Sequence, residues 1–170
     1  ANEELTLEEI KDTLGYKNSH NYKQKTVEES LQYKTSTVLQ NRTFYGNITT
    51  KEGIYPSKVI VSPEYKNDTM SSTEYIDYTG DQTSDFIVKL ESYSRNLVVL
   101  KRRSIHIVEV TGITTLQTEP KEIIENNGIR KRHHAIKTNL GICWFNIYGL
   151  WYYNGVSTEN LLKKDITIAQ

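Results

Sequence analysis

The chain has 170 residues, and its 21 Lys and Arg residues balance 21 Asp and Glu residues to give zero formal net charge. This balance argues against a dedicated nucleic-acid-binding protein, which normally carries a basic excess. A mean hydropathy of -0.59 without a long apolar run predicts no transmembrane helix, and the single Cys143 excludes an intramolecular disulfide framework and a cysteine-based zinc site.

The first candidate element is a short helix near the N-terminus. Thr6 can cap it, Glu9 stands at the capping-box position, and Gly15 can close it. The residues that follow are polar and weakly patterned. We therefore predict an N-terminal arm with a short helix over residues 1–36 and a β domain over residues 37–170. Because no initiator Met begins the sequence, the chain is expected to be processed or to be part of a longer one.

Alternation of apolar and turn residues begins near residue 37. The segment STVLQNRTFYGNIT predicts strands at Thr37–Leu39 and Thr43–Asn47 around a turn at Gln40-Asn41. The segment SKVIVSP predicts a short strand ended by Pro63, and a turn-rich loop with a small apolar patch at Tyr75-Ile76 follows. This region predicts part of one antiparallel meander.

From residue 86 the β signal is stronger. The segment DFIVKLESYSRNLVVLKRRSIHIVEVTG predicts strands at Phe86–Tyr93, Leu97–Leu100 and Ser104–Val110, joined by short turns. In the third of these strands the alternation places His106 and Glu109 on the solvent side. This region predicts a complete antiparallel meander.

A similar meander follows a loop in which Asn127-Gly128 is expected to form a tight turn. Its strands are predicted at Ala135–Thr138, Gly141–Asn146 and Leu150–Tyr153, and Asn154-Gly155 is the strongest type I′ hairpin signal in the chain. The aromatic-rich window GICWFNIYGLWYYNGVSTENL is therefore interpreted as packed strands punctuated by turns, with its cysteine buried and inert. An aromatic ligand platform is the alternative interpretation.

Repetition of the meander predicts the fold class. Each meander is about the size of a propeller blade, and residues 37–62 supply part of a third. We predict an all-β chain of antiparallel meanders that forms part of a β-propeller. A complete propeller usually needs at least about four blades, so the remaining blades are expected from another segment or another chain.

The pattern over residues 37–162 also resembles a known family. The segments LQNRTFYGNIT, GIYPSKVIVSP, IDYTGDQTSDFIVKLESYSRNLVVLKRRSIHIVEVTG and GICWFNIYGLWYYNG are similar to tail or tail-nozzle β-propeller proteins of short-tailed phages, including the crAss-like group. The matching residues are Arg42, Gly46, Asn47, Tyr55, Pro56, Ser62, Asp77, Gly80, Asp81, Leu97, Lys101, Ser104, Gly141, Trp144, Asn146, Gly149, Leu150, Tyr152 and Gly155. The chain departs from the pattern at Asn154, where the family often has Asp, and residues 1–36 lie outside the resemblance.

The resemblance implies a virion structural protein without enzymatic activity or cofactor. It implies assembly in the host cytoplasm into a homo-oligomeric ring around the DNA channel, and a role during DNA ejection. The implied partners are other tail and neck proteins, with transient nonspecific contact to genomic DNA and no membrane span. Two alternatives stay open: a receptor- or glycan-binding propeller, and a propeller hydrolase such as a sialidase. The hydrolase would need an arginine cluster and an acid on the central axis, which the sequence does not show.

The candidate functional residues fall into two groups. The abundance of tyrosine, 12 against 3 phenylalanines, suits interfaces that are apolar at one end and wet at the other. The structural and interface candidates are Arg42, Asn47, Trp144, Tyr148, Trp151, Tyr152, Asn154 and Gly155. The candidates for contact with DNA or an acidic partner, or for ordinary solvated charges, are Lys101, Arg102, Arg103, Arg130, Lys131 and Arg132.

Metal and catalytic motifs are weak in this sequence. The adjacent His133 and His134 would point to opposite faces of a strand and could not share one metal ion with ease. The carboxylates of Asp77, Asp81 and Asp85 suggest a loose Ca²⁺ site as a minor alternative, although the EF-hand spacing is absent. No phosphate-binding loop, nucleophile elbow or HExxH motif occurs. We therefore expect no metal, no cofactor and no enzymatic activity.

Overall fold

The computed structural model describes residues 32–50, 52–65, 75–77, 85–110 and 120–164. Apart from two 3₁₀ turns at Arg132–His134 and Leu161–Lys164, the regular elements in these ranges are β-strands. The predicted all-β character is therefore confirmed. The predicted N-terminal helix lies outside the described residues.

The described strands form three four-stranded antiparallel sheets, each built from strands that are consecutive in the chain. Sheet 1 comprises β1 (Gln32–Leu39), β2 (Arg42–Thr49), β3 (Ile54–Val61) and β4 (Tyr75–Asp77). Sheet 2 comprises β5 (Ile87–Tyr93), β6 (Asn96–Lys101), β7 (Ile105–Glu109) and β8 (Glu122–Ile124). Sheet 3 comprises β9 (Ala135–Lys137), β10 (Ile142–Asn146), β11 (Gly149–Tyr153) and β12 (Thr158–Asn160).

These sheets confirm the predicted meanders and extend them. Each sheet adds a three-residue edge strand, β4, β8 or β12, to the strands counted in its predicted meander. The first strand begins at Gln32 rather than Thr37, so the last residues of the predicted arm belong to sheet 1. The β1–β2 turn is formed by Gln40 and Asn41 with φ of 49° and 57°, as a two-residue hairpin turn requires.

Two predicted turns differ from those in the structure. Only Gly155 of the Asn154-Gly155 pair has positive φ, whereas a type I′ turn needs it at both central residues. The Asn154 carboxamide oxygen instead accepts the backbone N–H of Val156 and of Ser157, each at 2.8 Å, and this Asx-type link delays β12. The other turn falls before Asn127-Gly128, because Asn126 takes the left-handed conformation, with φ of 60°.

Sheet 2 is covered on both faces by its neighbours. In β6, Leu97 and Val99 belong to the core shared with sheet 1, while Val98 and Leu100 belong to the core shared with sheet 3. This explains the continuous apolar run in β6, which is typical of a strand with no solvent face. The predicted solvent position of His106 was wrong for the same reason: the side of β7 that carries it packs within the protein, and His106 is buried.

Equivalent turns of successive sheets lie at the same end of the stack. The Gln40 side chain in the β1–β2 turn donates to the Val110 carbonyl oxygen at 2.8 Å, next to the β5–β6 turn. The Tyr93 hydroxyl in turn donates to the Asn139 carbonyl oxygen in the β9–β10 link at 3.2 Å. The β6–β7 and β10–β11 turns lie at the other end, where they line one groove. Within the described residues the sheets do not close into a barrel or a complete propeller.

Candidate functional site

The two basic segments singled out in the sequence meet at one end of sheets 2 and 3. Arg102 and Arg103 form the β6–β7 turn, and Arg130 lies in the link from β8 to β9. Two backbone hydrogen bonds hold these segments together: Gly128 N–H donates to the Arg103 carbonyl oxygen at 3.0 Å, and Ile129 N–H donates to the Lys101 carbonyl oxygen at 2.9 Å.

Gly128 permits this close approach. A Cβ atom at this position would overlap the backbone of Arg102 and Arg103, so any other residue would push the two segments apart. The neighbouring Ile129 side chain is fully buried in the core between sheets 2 and 3 and anchors the link. The sequence predicts a turn at Gly128, whereas in the structure Gly128 makes a close backbone contact between distant segments.

The meeting of these segments forms a groove of about 730 Å³, which we call the arginine groove. Its lining consists of Arg102, Arg103, Asn126, Gly128, Arg130, His134, Phe145, Asn146, Ile147 and Tyr148. Three arginines therefore line one space, with the Arg102 guanidinium over the Phe86 ring at 5.4 Å from its centroid, and no carboxylate side chain is among the described lining residues. The fold brings these arginines together from two segments that are distant in sequence.

Aromatic side chains form the opposite side of the arginine groove. Phe145 near the end of β10 is 47% exposed, and Tyr148 in the β10–β11 turn is 60% exposed. The Phe145 ring lies against the His134 ring with centroids 4.4 Å apart and an interplanar angle of 33°. Ile147 and Tyr148 occupy both central positions of the β10–β11 turn. Apolar residues at these positions were the one sequence signal for this site.

The electrostatics of the groove are visible at His134. Desolvation lowers the pKa of His134 below its ordinary value, and the positive charges of His133, Lys131 and Arg130 add to the lowering. The ring is therefore mainly neutral at neutral pH, and a bound anion would raise its pKa. The groove carries a positive potential that a ligand of negative charge would relieve.

Not all of the predicted basic contacts belong to the groove. Lys101 is only 2% exposed, and its ammonium lies 3.5 Å from the Asp85 carboxylate. This burial makes Lys101 unavailable to DNA or to an acidic partner, so its prediction as a contact residue was wrong. Lys131 and Arg132 are exposed but do not line the groove.

Asp85 organises a buried polar cluster behind the groove. Its carboxylate accepts the Ser104 hydroxyl at 2.6 Å and the Arg103 backbone N–H at 2.7 Å. The Ser104 oxygen lies 3.0 Å from His106 Nε2 and, because its own proton points to the carboxylate, it accepts from the imidazole. Serine thus lies between the acid and the histidine. A Ser-His-Asp nucleophile has the histidine in the middle, so this arrangement fixes the β6–β7 turn and does not activate Ser104.

His106 gives this cluster a pH dependence. Burial, with the nearby Lys101 charge, lowers the pKa of His106 to about 4, against a smaller opposing effect of Asp85. Because the folded pKa is below the ordinary value of 6.5, the neutral ring stabilises the fold above about pH 6.5, and this contribution is lost as the pH falls toward 4. The loss amounts to at most about 3 kcal/mol.

We expect His106→Gln to flatten this dependence. Its amide N–H can still donate to Ser104, but it binds no proton between about pH 7 and pH 4.5. Urea unfolding of both proteins across that pH range measures the difference in their free energies of unfolding. The effects of carboxylate titration cancel in this difference because both proteins contain the same carboxylates. Equal loss of stability in the two proteins would show that His106 is not the group responsible.

The interface candidates divide into buried and exposed residues. Arg42 is buried, and its guanidinium approaches the Ser62 carbonyl oxygen at 3.4 Å. Asn47 is also buried; its backbone takes φ of 59°, and its carboxamide donates to the Ile87 carbonyl oxygen at 2.8 Å. This bond joins sheet 1 to sheet 2. Both residues act inside the chain.

The aromatic candidates of sheet 3 are mostly part of its core. Trp144 is buried between sheets 2 and 3, and Trp151 stacks on it at 6.5 Å with an interplanar angle of 8°. The half-buried Tyr152 donates its hydroxyl to the Leu140 carbonyl oxygen at 2.6 Å. Gly155, with φ of 96°, accepts the Asn96 side chain at 3.1 Å through its carbonyl oxygen. Among these residues, packing is the main role.

The outer face of sheet 3 has no described sheet against it. Ile136, which is 62% exposed, lies opposite Cys143, and Cys143 lies opposite Tyr152 on the next strand. Cys143 is half-buried on this face, not buried as expected. The three side chains form an apolar patch, which we call the sheet 3 face.

Among the described residues no group of three or more His, Cys, Asp or Glu side chains could hold a metal ion. Asp81, one of the three carboxylates suggested for Ca²⁺, lies outside the described residues. His133 and His134 lie in a 3₁₀ turn, not a strand, with ring centroids 4.9 Å apart. In the part of the chain that the structure describes, no helix is long and apolar enough to cross a membrane.

No known family model matches this sequence, and no curated protein matches it either.

Proposed function

We propose that this chain is a structural subunit of a phage tail and that its copies associate into a ring by stacking sheet on sheet. The observation that carries the proposal is the serial packing of the three described sheets. Sheet 1 packs on sheet 2 and sheet 2 packs on sheet 3, each pair through its own apolar core. Such stacking continues until it closes on itself, as the blades of a propeller do.

The outer faces of sheet 1 and sheet 3 are suited to packing against another sheet in the same way. At one end, the sheet 3 face presents Ile136 beside the half-buried Cys143 and Tyr152. At the other end, the outer face of sheet 1 exposes Tyr33 and Tyr75, whereas the cluster of Tyr45, Ile48 and Ile60 on this face is already buried within the chain. Apolar faces of this kind mark protein interfaces.

The occupant we propose for the sheet 3 face is the outer face of sheet 1 of a second copy. The contact is head-to-tail and uses two different faces, which generates a ring when the rotation closes. Both faces also carry charged groups: Lys58 lies on the outer face of sheet 1 over the rings of Tyr55 and Tyr75 and opposite Asp77, while Glu159 lies opposite Tyr152 in sheet 3. The phage-tail assignment, and with it the position of the ring around the DNA channel, rests on the sequence resemblance.

The ring is tested by replacing Ile136 with Glu. A charge on the sheet 3 face would lose its hydration in the stacked ring, so we expect the dissociation constant between copies to rise at least about tenfold. The matched control is Ile123→Glu on edge strand β8 of sheet 2, where the side chain is 48% exposed and lies on neither terminal face.

Native mass spectrometry and size-exclusion chromatography with light scattering measure the outcome. Closed oligomers of the unaltered chain and of Ile123→Glu, with smaller species for Ile136→Glu, are the expected result. A monomeric unaltered chain at the highest soluble concentration, or oligomers that both substitutions leave intact, would refute the proposed ring contact.

A further inference from the structure

The arginine groove has a chemical character that ring formation does not explain. Arg102, Arg103 and Arg130 line it, and no carboxylate is among its described lining residues. Asp85 is close, but its carboxylate is buried and directed to Lys101, Ser104 and the Arg103 backbone. The groove therefore concentrates positive charge in a chain whose net charge is zero.

The aromatic side of the groove narrows the choice of ligand. A ligand with negative charge alone, such as an acidic peptide, would form ion pairs with arginines but leave Phe145 and Tyr148 exposed to water. A ligand that combines phosphate with a planar base would use both sides. Guanidinium groups bind phosphate in a two-pronged geometry, and bases stack on exposed aromatic rings.

The shape of the groove agrees with a strand rather than an enclosed small molecule. Its volume of about 730 Å³ exceeds what one nucleotide needs, and it runs between two turns at the end of the stack without a covering segment among the described residues. An open basic groove beside stacking side chains is the usual arrangement for binding single strands without sequence preference.

We propose that the arginine groove binds single-stranded nucleic acid, with phosphates on Arg102 and Arg130 and a base stacked on Tyr148. This goes beyond the proposed ring, because a duplex passing through a channel presents no unstacked base. Phe145 lies on the same outer face of β10 as Cys143, but Arg130 and Tyr148 lie outside the sheet 3 face, so nucleic-acid binding can be tested in a variant that does not form the ring.

Fluorescence anisotropy with a labelled oligothymidylate of about ten nucleotides tests the proposal. We expect Tyr148→Ala to weaken binding about fivefold or more through lost stacking. Arg130→Gln is expected to weaken it severalfold and to reduce the dependence on salt concentration by about one phosphate contact. The matched control is Arg95→Gln, an exposed arginine in the β5–β6 turn at the other end of the stack, which should bind like the unaltered chain.

Competitor ligands test whether the groove prefers a single strand, and the Ile136→Glu variant tests whether binding depends on the ring. A duplex of the same length, an acidic peptide and an acidic oligosaccharide should compete less well than the single strand. Equal competition by the peptide or the oligosaccharide, with no effect of Tyr148→Ala, would overturn the proposal, as would the absence of any binding. Repeating the titration with Ile136→Glu separates the two proposals, because loss of the ring should leave the groove in each copy intact.

Discussion

Replacing Asp85 with Ala is expected to lower the free energy of unfolding by about 3–5 kcal/mol, because it leaves the buried Lys101 charge without its carboxylate. The substitution also removes the acceptor for the Ser104 hydroxyl and for the Arg103 backbone N–H. All three donors lie at or beside the β6–β7 turn. The loss therefore falls on the segment that positions the arginine groove.

The measurement is urea unfolding at neutral pH, with Asp77→Ala as the control. Asp77 is an exposed aspartate on edge strand β4, so its removal should change stability by less than about 1 kcal/mol. The double variant Asp85→Ala with Lys101→Met should recover part of the loss, because removing both charges is less harmful than isolating one. If Asp85→Ala matched the control, the ion pair would not be what fixes this turn.

Trp144→Ala is expected to lower stability by a similar amount, about 3–5 kcal/mol, through loss of buried area and the cavity that remains. Trp144 is buried in the core between sheets 2 and 3 and stacks on Trp151. No described group accepts a hydrogen bond from its indole N–H, so its contribution comes from packing. The substitution should weaken the packing of sheet 3 against sheet 2.

Trp144→Phe provides the matched comparison. It keeps an aromatic ring in the core and removes the unpaired indole N–H, so we expect a smaller loss of about 1–2 kcal/mol. Phe145→Ala, on the other face of the same strand and half exposed, should also be milder than Trp144→Ala. Thermal unfolding followed by circular dichroism ranks the three. Equal effects of Trp144→Ala and Phe145→Ala would contradict the placement of the core on one face of β10.

The strands and most turns were predictable because their signals are local. The β1–β2 turn at Gln40 and Asn41 and the β10–β11 turn at Ile147 and Tyr148 lie where the sequence placed them. The type I′ turn predicted at Asn154-Gly155 does not form, and the reason is again local. The Asn154 carboxamide oxygen accepts two backbone N–H groups, and the connection between β11 and β12 becomes a longer loop. Side-chain capping of this kind competes with the tight turn that the same residue pair favours.

The sequence only partly predicts that sheet 2 is buried on both faces. The apolar run in β6 indicates a strand without a solvent face, but β7 alternates His106 with isoleucines, which is typical of one wet face. The burial of His106 depends on sheet 1 packing against this face of β7, and no local sequence pattern encodes that contact. The same limit applies to Lys101, whose place in the basic run LKRRS suggested a solvated charge.

The sequence by itself determined that this protein is all-β and built from repeated antiparallel meanders, since alternation, turn residues and strand length act over a few neighbouring positions. Only the tertiary structure decided which basic residues meet. Arg102 and Arg103 reach Arg130 because two distant segments share backbone hydrogen bonds at Gly128 and Ile129, while Lys101, adjacent to them in sequence, turns inward to Asp85. The free energy of such contacts depends on which sheets stack, and that is set by the burial of whole faces rather than by any local pattern.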